Sequence, residues 1–173
     1  MDGDKKIDIV LADRDKIVWY KNPTWKKHQV CGHLTQRDHV CLTARDIDGD
    51  GLAEIAVGAQ WNPGDTENSG AVFYLQPTKD RQGDWAPVKL KHEPTTHRMH
   101  WLRNASGKFD LVVKPLYGHG NRGGKGDGMK VLAYHQPKDS MGEWKTTLVS
   151  DFLHDSHNFH PINWDEDTEE DFL

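Results

Sequence analysis

Oxygen-bearing side chains recur at alternate positions in Asp46-Ile47-Asp48-Gly49-Asp50-Gly51-Leu52-Ala53-Glu54. That spacing suits one hard cation. Carboxylates at positions 1, 3 and 5 of a tight turn converge, glycines allow positive φ where the backbone curls, and an acid at position 9 closes the cage. Asp46, Asp48, Asp50 and Glu54 fit this scheme, with the Leu52 carbonyl as a fifth oxygen, and structural calcium is the expected cofactor. A helical calcium hand needs a bidentate Glu at position 12 and flanking helices. Position 12 here is Val57, and Glu-Ile-Ala-Val-Gly after the loop alternates like a strand, so a strand-turn-strand site is expected. The competing reading is an ion-free polar turn; against it, three acids at alternate positions repel each other unless a cation neutralises them.

Degraded copies of the loop return along the chain. Asp2-Gly3-Asp4-Lys5-Lys6-Ile7-Asp8 matches positions 3 to 9 with Met1 at position 2, so the chain reads as starting inside a motif. Asn163 to Asp171 fills all nine positions without glycine, which makes Asn163, Asp165, Asp167 and Asp171 a weak calcium candidate. Asn104 to Asp110 is shorter, has lost its acids and reads as a plain turn. Leu173 falls where the strand after the last loop is due, and the whole is expected to be a fragment.

A second signature sets the period. Tyr20-Lys21-Asn22-Pro23, Tyr74-Leu75-Gln76-Pro77 and Tyr134-His135-Gln136-Pro137 share Tyr-x-amide-Pro at separations of 54 and 60 residues. Each precedes a Trp that is expected to open another strand, over 25–30, 85–90 and 144–149, and each acidic turn precedes an apolar strand, at 7–11, 55–57 and 111–113. One unit therefore reads strand A, acidic turn, strand B, variable loop, strand C, strand D. Four short strands at this period predict an all-β fold of β-propeller blades, each of four antiparallel strands. The expected divisions are a partial blade at 1–37, blades at 38–95 and 96–155, and the start of another at 156–173.

Composition agrees with a β protein. Hydrophobic residues make up 35%, the net charge is −5, and no apolar run approaches membrane-spanning length. Basic residues are scattered, as at Lys26-Lys27 and Lys89-Lys91, which disfavours nucleic acid as a partner. Two cysteines, Cys31 and Cys41, cannot make a disulfide framework.

Asp-x-Asp-Gly-Asp-Gly-x-x-Glu-Ile followed by a strand resembles the FG-GAP and VCBS repeat propellers. Asp38-His39-Val40-Cys41, Ala56 to Pro63, Thr96 to Trp101 and His157 to Pro161 are similar to the propellers of aldos-2-ulose dehydratase and rhamnose-glucuronate polysaccharide lyases. The resemblance implies seven blades, an extracellular or periplasmic setting, and a metal with histidines at the channel mouth for β-elimination on sugars. About three blades of that ring are expected here. Remaining blades or other copies of the chain are the expected partners, beside a carbohydrate.

Topology alone lets the histidines be read. In an up-and-down blade the D-to-A connections and B-to-C loops emerge on one face, and the acidic A-to-B turns on the other. His39, His97 and His157, separated by 58 and 60 residues, fall at the start of strand A, the innermost strand. Three imidazoles converging there suit Zn²⁺ or another divalent ion with an open position; the bland reading is three surface or turn residues. His39 and His157 differ by one residue of register, which a β-bulge could absorb. The Gly-rich loop 115–128 carries Tyr117, His119 and Arg122 and is either functional or a flexible hairpin. Trp61 in the preceding loop is a sugar-stacking platform or a packing residue. For an elimination, a metal on His39, His97 and His157, helped by Arg98 or Arg122, would hold the enolate-like charge, so that His97 and His157 act through it, and Tyr117 or His119 would shuttle protons. The alternative function is a non-catalytic, calcium-stabilised module for carbohydrate or protein binding and adhesion.

Overall fold

The computed structural model describes residues 1–79, 81 and 83–173. Every element is a strand: β1 (Ile9–Ala12), β2 (Lys16–Lys21), β3 (Lys26–Gly32), β4 (Cys41–Arg45), β5 (Glu54–Ala59), β6 (Ala71–Gln76), β7 (Ala86–Leu90), β8 (Thr96–Arg103), β9 (Phe109–Pro115), β10 (Val131–His135), β11 (Lys145–Ser150), β12 (Pro161–Ile162) and β13 (Asp171–Phe172). They form antiparallel meanders β1-β2-β3, β4-β5-β6-β7 and β8-β9-β10-β11 and the hairpin β12-β13. These are propeller blades, two with four strands, and the sheets do not close into a ring.

Inner strands lose the usual in-out alternation because a neighbouring blade covers each face. All six residues of β5 and five of six in β6 are buried, as expected for strands packed on both sides. One core fills the space between the second and third sheets, with Tyr74, Val72 and Ala56 against Met99, Trp101, Leu111 and Trp144. A second joins the first and second sheets through Ile17, Trp19, Ile55, Val57 and Phe73. A third seats the hairpin on the outer face of the third sheet through Phe159 and Phe172. Burying each large apolar side chain contributes up to about 1.5–3 kcal/mol. A Cβ on Gly58 would lie 2.6 Å from Cys41 Sγ in its own sheet and 3.0 Å from Thr96 Cγ2 in the third sheet, so any side chain there would force its neighbours to shift.

The Tyr-x-amide-Pro signature packs as a repeated element. Tyr74 lies against Trp101 and Trp144, with ring centroids 6.5 and 5.1 Å away, and the buried Tyr134 donates its hydroxyl to the Lys91 carbonyl at 2.7 Å. The tryptophans correct the expected strand bounds. Trp25, Trp85 and Trp144 each stand one residue ahead of β3, β7 and β11. Trp144 folds its ring into the core between blades and Trp85 lies under Arg81, while Trp25 has φ of 55°, outside the strand region. β1 likewise begins at Ile9 rather than Ile7, because residues 2–8 still belong to the acidic turn.

Candidate functional site

The acidic turns lie at one end of the sheets. In the second turn, carboxylate oxygens of Asp46, Asp48 and Asp50 lie within 4.8 Å of one another. The turn holds them by aspartate-to-amide bonds: Asp46 accepts the Gly49 and Gly51 N–H groups at 2.7 and 2.9 Å, Asp48 that of Asp50, and Asp50 that of Leu52. Gly49 and Gly51 have φ of 82° and 84°, the left-handed conformation that side chains disfavour. The donor set is all oxygen and negatively charged, which fits calcium.

Glu54 departs from the expectation. Its carboxylate is 6% exposed, accepts the Ile47 N–H at 3.2 Å and pairs with Arg81 Nη2 at 2.8 Å. Burial raises its pKa, against the lowering effect of Ile47 and Arg81. Each of its oxygens accepts from a protein donor, and Glu54 is not among the three acids gathered in this turn. The other copies treat position 9 alike: Asp8 accepts from the Met1 α-amino group and Asp171 from the Trp164 N–H. In the third turn Asp110 accepts from Asn104 Nδ2 at 3.1 Å and faces His135 at 3.0 Å. In the first turn Lys21 Nζ sits 2.5 Å from Asp2 and 3.8 Å from Asp4. The fourth turn folds through backbone contacts, with Asn163 Nδ2 on the Asp167 carbonyl, and Asp165 accepting from Asp167 N–H. Among the described residues only Asp46, Asp48 and Asp50 gather as three acid, His or Cys ligands.

At the opposite end, B-to-C loops meet D-to-A connections. Trp61 N–H donates to the Asp38 carbonyl, Tyr117 bridges to Asp155, and Asn121 Nδ2 donates to the His154 carbonyl. A β-bulge falls at His97: Thr96 pairs with Pro115 and Arg98 with Lys114, leaving His97 out of the ladder. The bulge aims its ring at the preceding blade, where Trp61 stacks on it at 5.0 Å and 24°. His157, from the connection ahead of β12, meets the same ring edge-on at 4.6 Å. His97 is 6% exposed and its Nε2 is buried without a hydrogen-bond partner, while His157 is exposed. Burial, then Arg98, His157 and Lys114, push the His97 pKa down to about 4, so it is neutral near pH 7. Arg98 Nη1 points at His97 Nδ1 at 3.4 Å, and its Nε donates to Asn158 at 2.9 Å. That leaves the His97 proton on the unpartnered Nε2.

His39 does not join them. Its Nδ1–H donates to the Asp13 carbonyl at 2.9 Å, which ties it to the β1–β2 turn, and it precedes β4 by two residues. Among the described residues, the three imidazoles do not gather as one ligand group. Two histidines fall short of the three protein ligands of a catalytic zinc, so the trio does not fit that ion. Tyr117 is half-buried and held by its backbone, its N–H on Thr95 Oγ1 at 3.1 Å. His119 and Arg122 are exposed, His119 lying 3.9 Å from Asp127.

Two buried basic residues that hold these regions together escaped the sequence reading. Lys114, 3% exposed, donates to the Pro115 and Ser156 carbonyls and so ties β9 to the connection that carries His157. Burial, with Arg98 nearby, lowers its pKa to about 8. A lone Lys inside the apolar run Leu111 to Pro115 was the available signal. Arg81, the partner of Glu54, had none, since it lies in an irregular loop.

Residues 1–57 match the FG-GAP-like repeat family and residues 42–75 the FG-GAP repeat family. The second span contains the acidic triad, Gly58 and Trp61. No curated protein was found to match the chain.

Proposed function

We propose that this chain is a carbohydrate-binding propeller module, stiffened by calcium in its second turn and reading its ligand at the opposite rim. One observation carries the reading: Trp61, His97 and His157 form a contiguous ring group, buried at its centre, His97, half-buried at Trp61 and exposed at His157. A sugar offers an apolar C–H face to an aromatic ring and hydroxyls to nitrogen donors. Arg98 beside the group supplies a charge for an acidic sugar. Asp46, Asp48 and Asp50, with the Leu52 carbonyl, would hold calcium, which would cancel their mutual repulsion. FG-GAP repeats are typical of extracellular proteins, which supports an extracellular or periplasmic setting.

The test is calorimetric titration with neutral and uronate-containing oligosaccharides. Trp61→Ala should weaken binding at least about tenfold, the equivalent of about 1.4 kcal/mol, with the fold intact. Lack of binding by the wild-type protein across both oligosaccharide classes would sink the reading.

A second reading, β-elimination on a uronate, is favoured by the neutral His97 beside Arg98. His157, held edge-on against the neutral His97, would take the proton α to the carboxylate, Arg98 or Arg122 would hold the developing charge, and Tyr117 or His119 would protonate the leaving oxygen. No step is assigned to a metal. The readout is the ultraviolet absorbance of the unsaturated product; unchanged rates in His97→Ala and His157→Ala would exclude these roles.

A further inference from the structure

The connection between β11 and β12 lies along the loop between β9 and β10. Met129 N–H donates to the Leu153 carbonyl at 2.6 Å, Asn121 Nδ2 to the His154 carbonyl at 2.9 Å, and Ser156 N–H to the Leu116 carbonyl at 3.3 Å. Two cations fasten the part of this connection that carries His157. Arg98 Nε, from β8, donates to Asn158 Oδ1 at 2.9 Å, and that oxygen lies 3.1 Å from His157 Nδ1. Lys114, from β9, is buried and donates to the Ser156 carbonyl, one residue ahead of His157, and to the Pro115 carbonyl at 3.3 Å. The groups around the amine are opposed. Arg98 on β8 repels its charge, Asp155 in the connection attracts it, and the charge in turn reaches His97 on β8, whose ring meets His157 edge-on. A guanidinium keeps its proton in proteins, whereas a buried amine gives its proton up readily. Of the two cations, Lys114 is thus the one that can change its charge near neutrality.

We propose that Lys114 is a positioning residue for the rim group: its ammonium, held on the Ser156 carbonyl, sets His157 and Asn158 against His97 and Arg98, and loss of its proton loosens that setting. A neutral amine can still donate, but a charge-assisted bond is roughly twice as strong, so the connection slackens rather than detaches. Burial, with Arg98 beside it, places this change at about pH 8. The consequence for a ligand rests on the carbohydrate reading of the rim. As pH rises, an acidic sugar would lose both a fixed His157 and one positive charge, and a neutral sugar only the first.

His97 supplies an internal reporter. Its own pKa is pushed down to about 4, so its ring does not titrate between about pH 7 and 9.5, and a step in its NMR signals there reports a change beside it. In the wild type the His97 ring signals and the Lys114 Cε signal should move with one midpoint, a comparison that needs no variant. Lys114→Met, apolar and of similar length, should remove the step at His97. Calorimetric titration with a uronate-containing oligosaccharide should show affinity about tenfold lower at about pH 9.5 than at about pH 7, the worth of one charge-assisted contact. In Lys114→Met the affinity should be weakened at both pH values alike. A step at His97 with no oligosaccharide binding at either pH would support the positioning role and overturn the carbohydrate reading. A His97 ring that stays unchanged while Lys114 titrates, a step that persists in Lys114→Met, or uronate binding of equal affinity at the two pH values would each overturn the role of Lys114.

Discussion

Removing Glu54 and removing Arg81 should destabilise the protein unequally, and the inequality should depend on pH. The two side chains are 6% and 8% exposed and 2.8 Å apart; Arg81 also donates to the Ala53 carbonyl at 2.7 Å and to the Met1 carbonyl at 3.4 Å. Breaking a buried pair by deleting one partner costs about 3–5 kcal/mol, because the other charge is left uncompensated. Glu54→Gln strands a guanidinium that cannot shed its proton, so the full cost should hold at every pH at which the wild-type Glu54 is ionised. Arg81→Met strands a carboxylate whose pKa burial already raises, and losing the arginine raises it further.

A group with a raised folded pKa contributes stability that is fully present below its unfolded value, about 4.3 for Glu, and is lost as pH rises through the folded value. The deficit of Arg81→Met should therefore be largest near pH 7.5. At pH 5, nearer the raised value at which the buried carboxyl takes up its proton, it should be smaller, tending towards about 2 kcal/mol, the worth of the lost bonds to the Ala53 and Met1 carbonyls. The assay is urea denaturation of wild type, both variants and the double variant at each pH, so that other titrations cancel in the differences. At this chain length a deficit of about 3 kcal/mol lowers Tm by about 6–12 °C. Equal deficits for Arg81→Met at the two pH values, or a cost below about 0.5 kcal/mol for Glu54→Gln, would refute the reasoning.

Three further outcomes are expected. Calorimetry should find one calcium ion per chain, with chelation lowering Tm; Asp48→Asn should weaken that binding at least about tenfold, while Glu54→Gln, outside the triad, should leave the stoichiometry at one. His97, with a folded pKa near 4, stays neutral while the unfolded chain takes up a proton below about 6.5, so stability should fall as pH drops from about 6.5 to 4, by at most roughly 3 kcal/mol; a His97→Phe variant should lack that component in pH-dependent denaturation. Glu170 receives a two-pronged contact from Arg45 at 2.7 and 2.9 Å and the Arg103 N–H at 2.9 Å; Glu170→Gln should cost about 1 kcal/mol, discounted for partial exposure, and speed amide exchange selectively in residues 161–173.

What the sequence made legible was local. The Asp46 to Asp50 spacing and the Tyr-x-amide-Pro period are properties of turns, and turn chemistry acts over a few residues. Long-range partners were not legible. Glu54 could be seen as an acid at position 9, but its capture by Arg81 depends on the path of the loop between β6 and β7. The histidines matched in spacing yet differed in fate: the bulge at His97 turns its ring to Trp61, whereas a carbonyl in the β1–β2 turn holds His39. Equal sequence spacing fixes equal place in a repeat, but loop contacts decide side-chain direction.

The position-9 acids explain why degenerate turns persist in the chain. Asp8, Glu54 and Asp171 each accept from the backbone nitrogen at position 2, and Asp110 accepts from the Asn104 side chain. Each bond closes a strand A-to-B turn without an ion and stabilises it by about 1 kcal/mol or more. In two turns a protein cation also approaches an acid, Lys21 at Asp2 and Arg81 at Glu54, and in a third the His135 ring lies against Asp110. Closing the turn and gathering a cation are thus separate tasks. The third turn has lost the second while keeping the first through Asp110, and its blade still carries four paired strands. The second turn has the means for both, because Glu54 is committed inward and the three aspartates are left to face one another, where they would hold a cation.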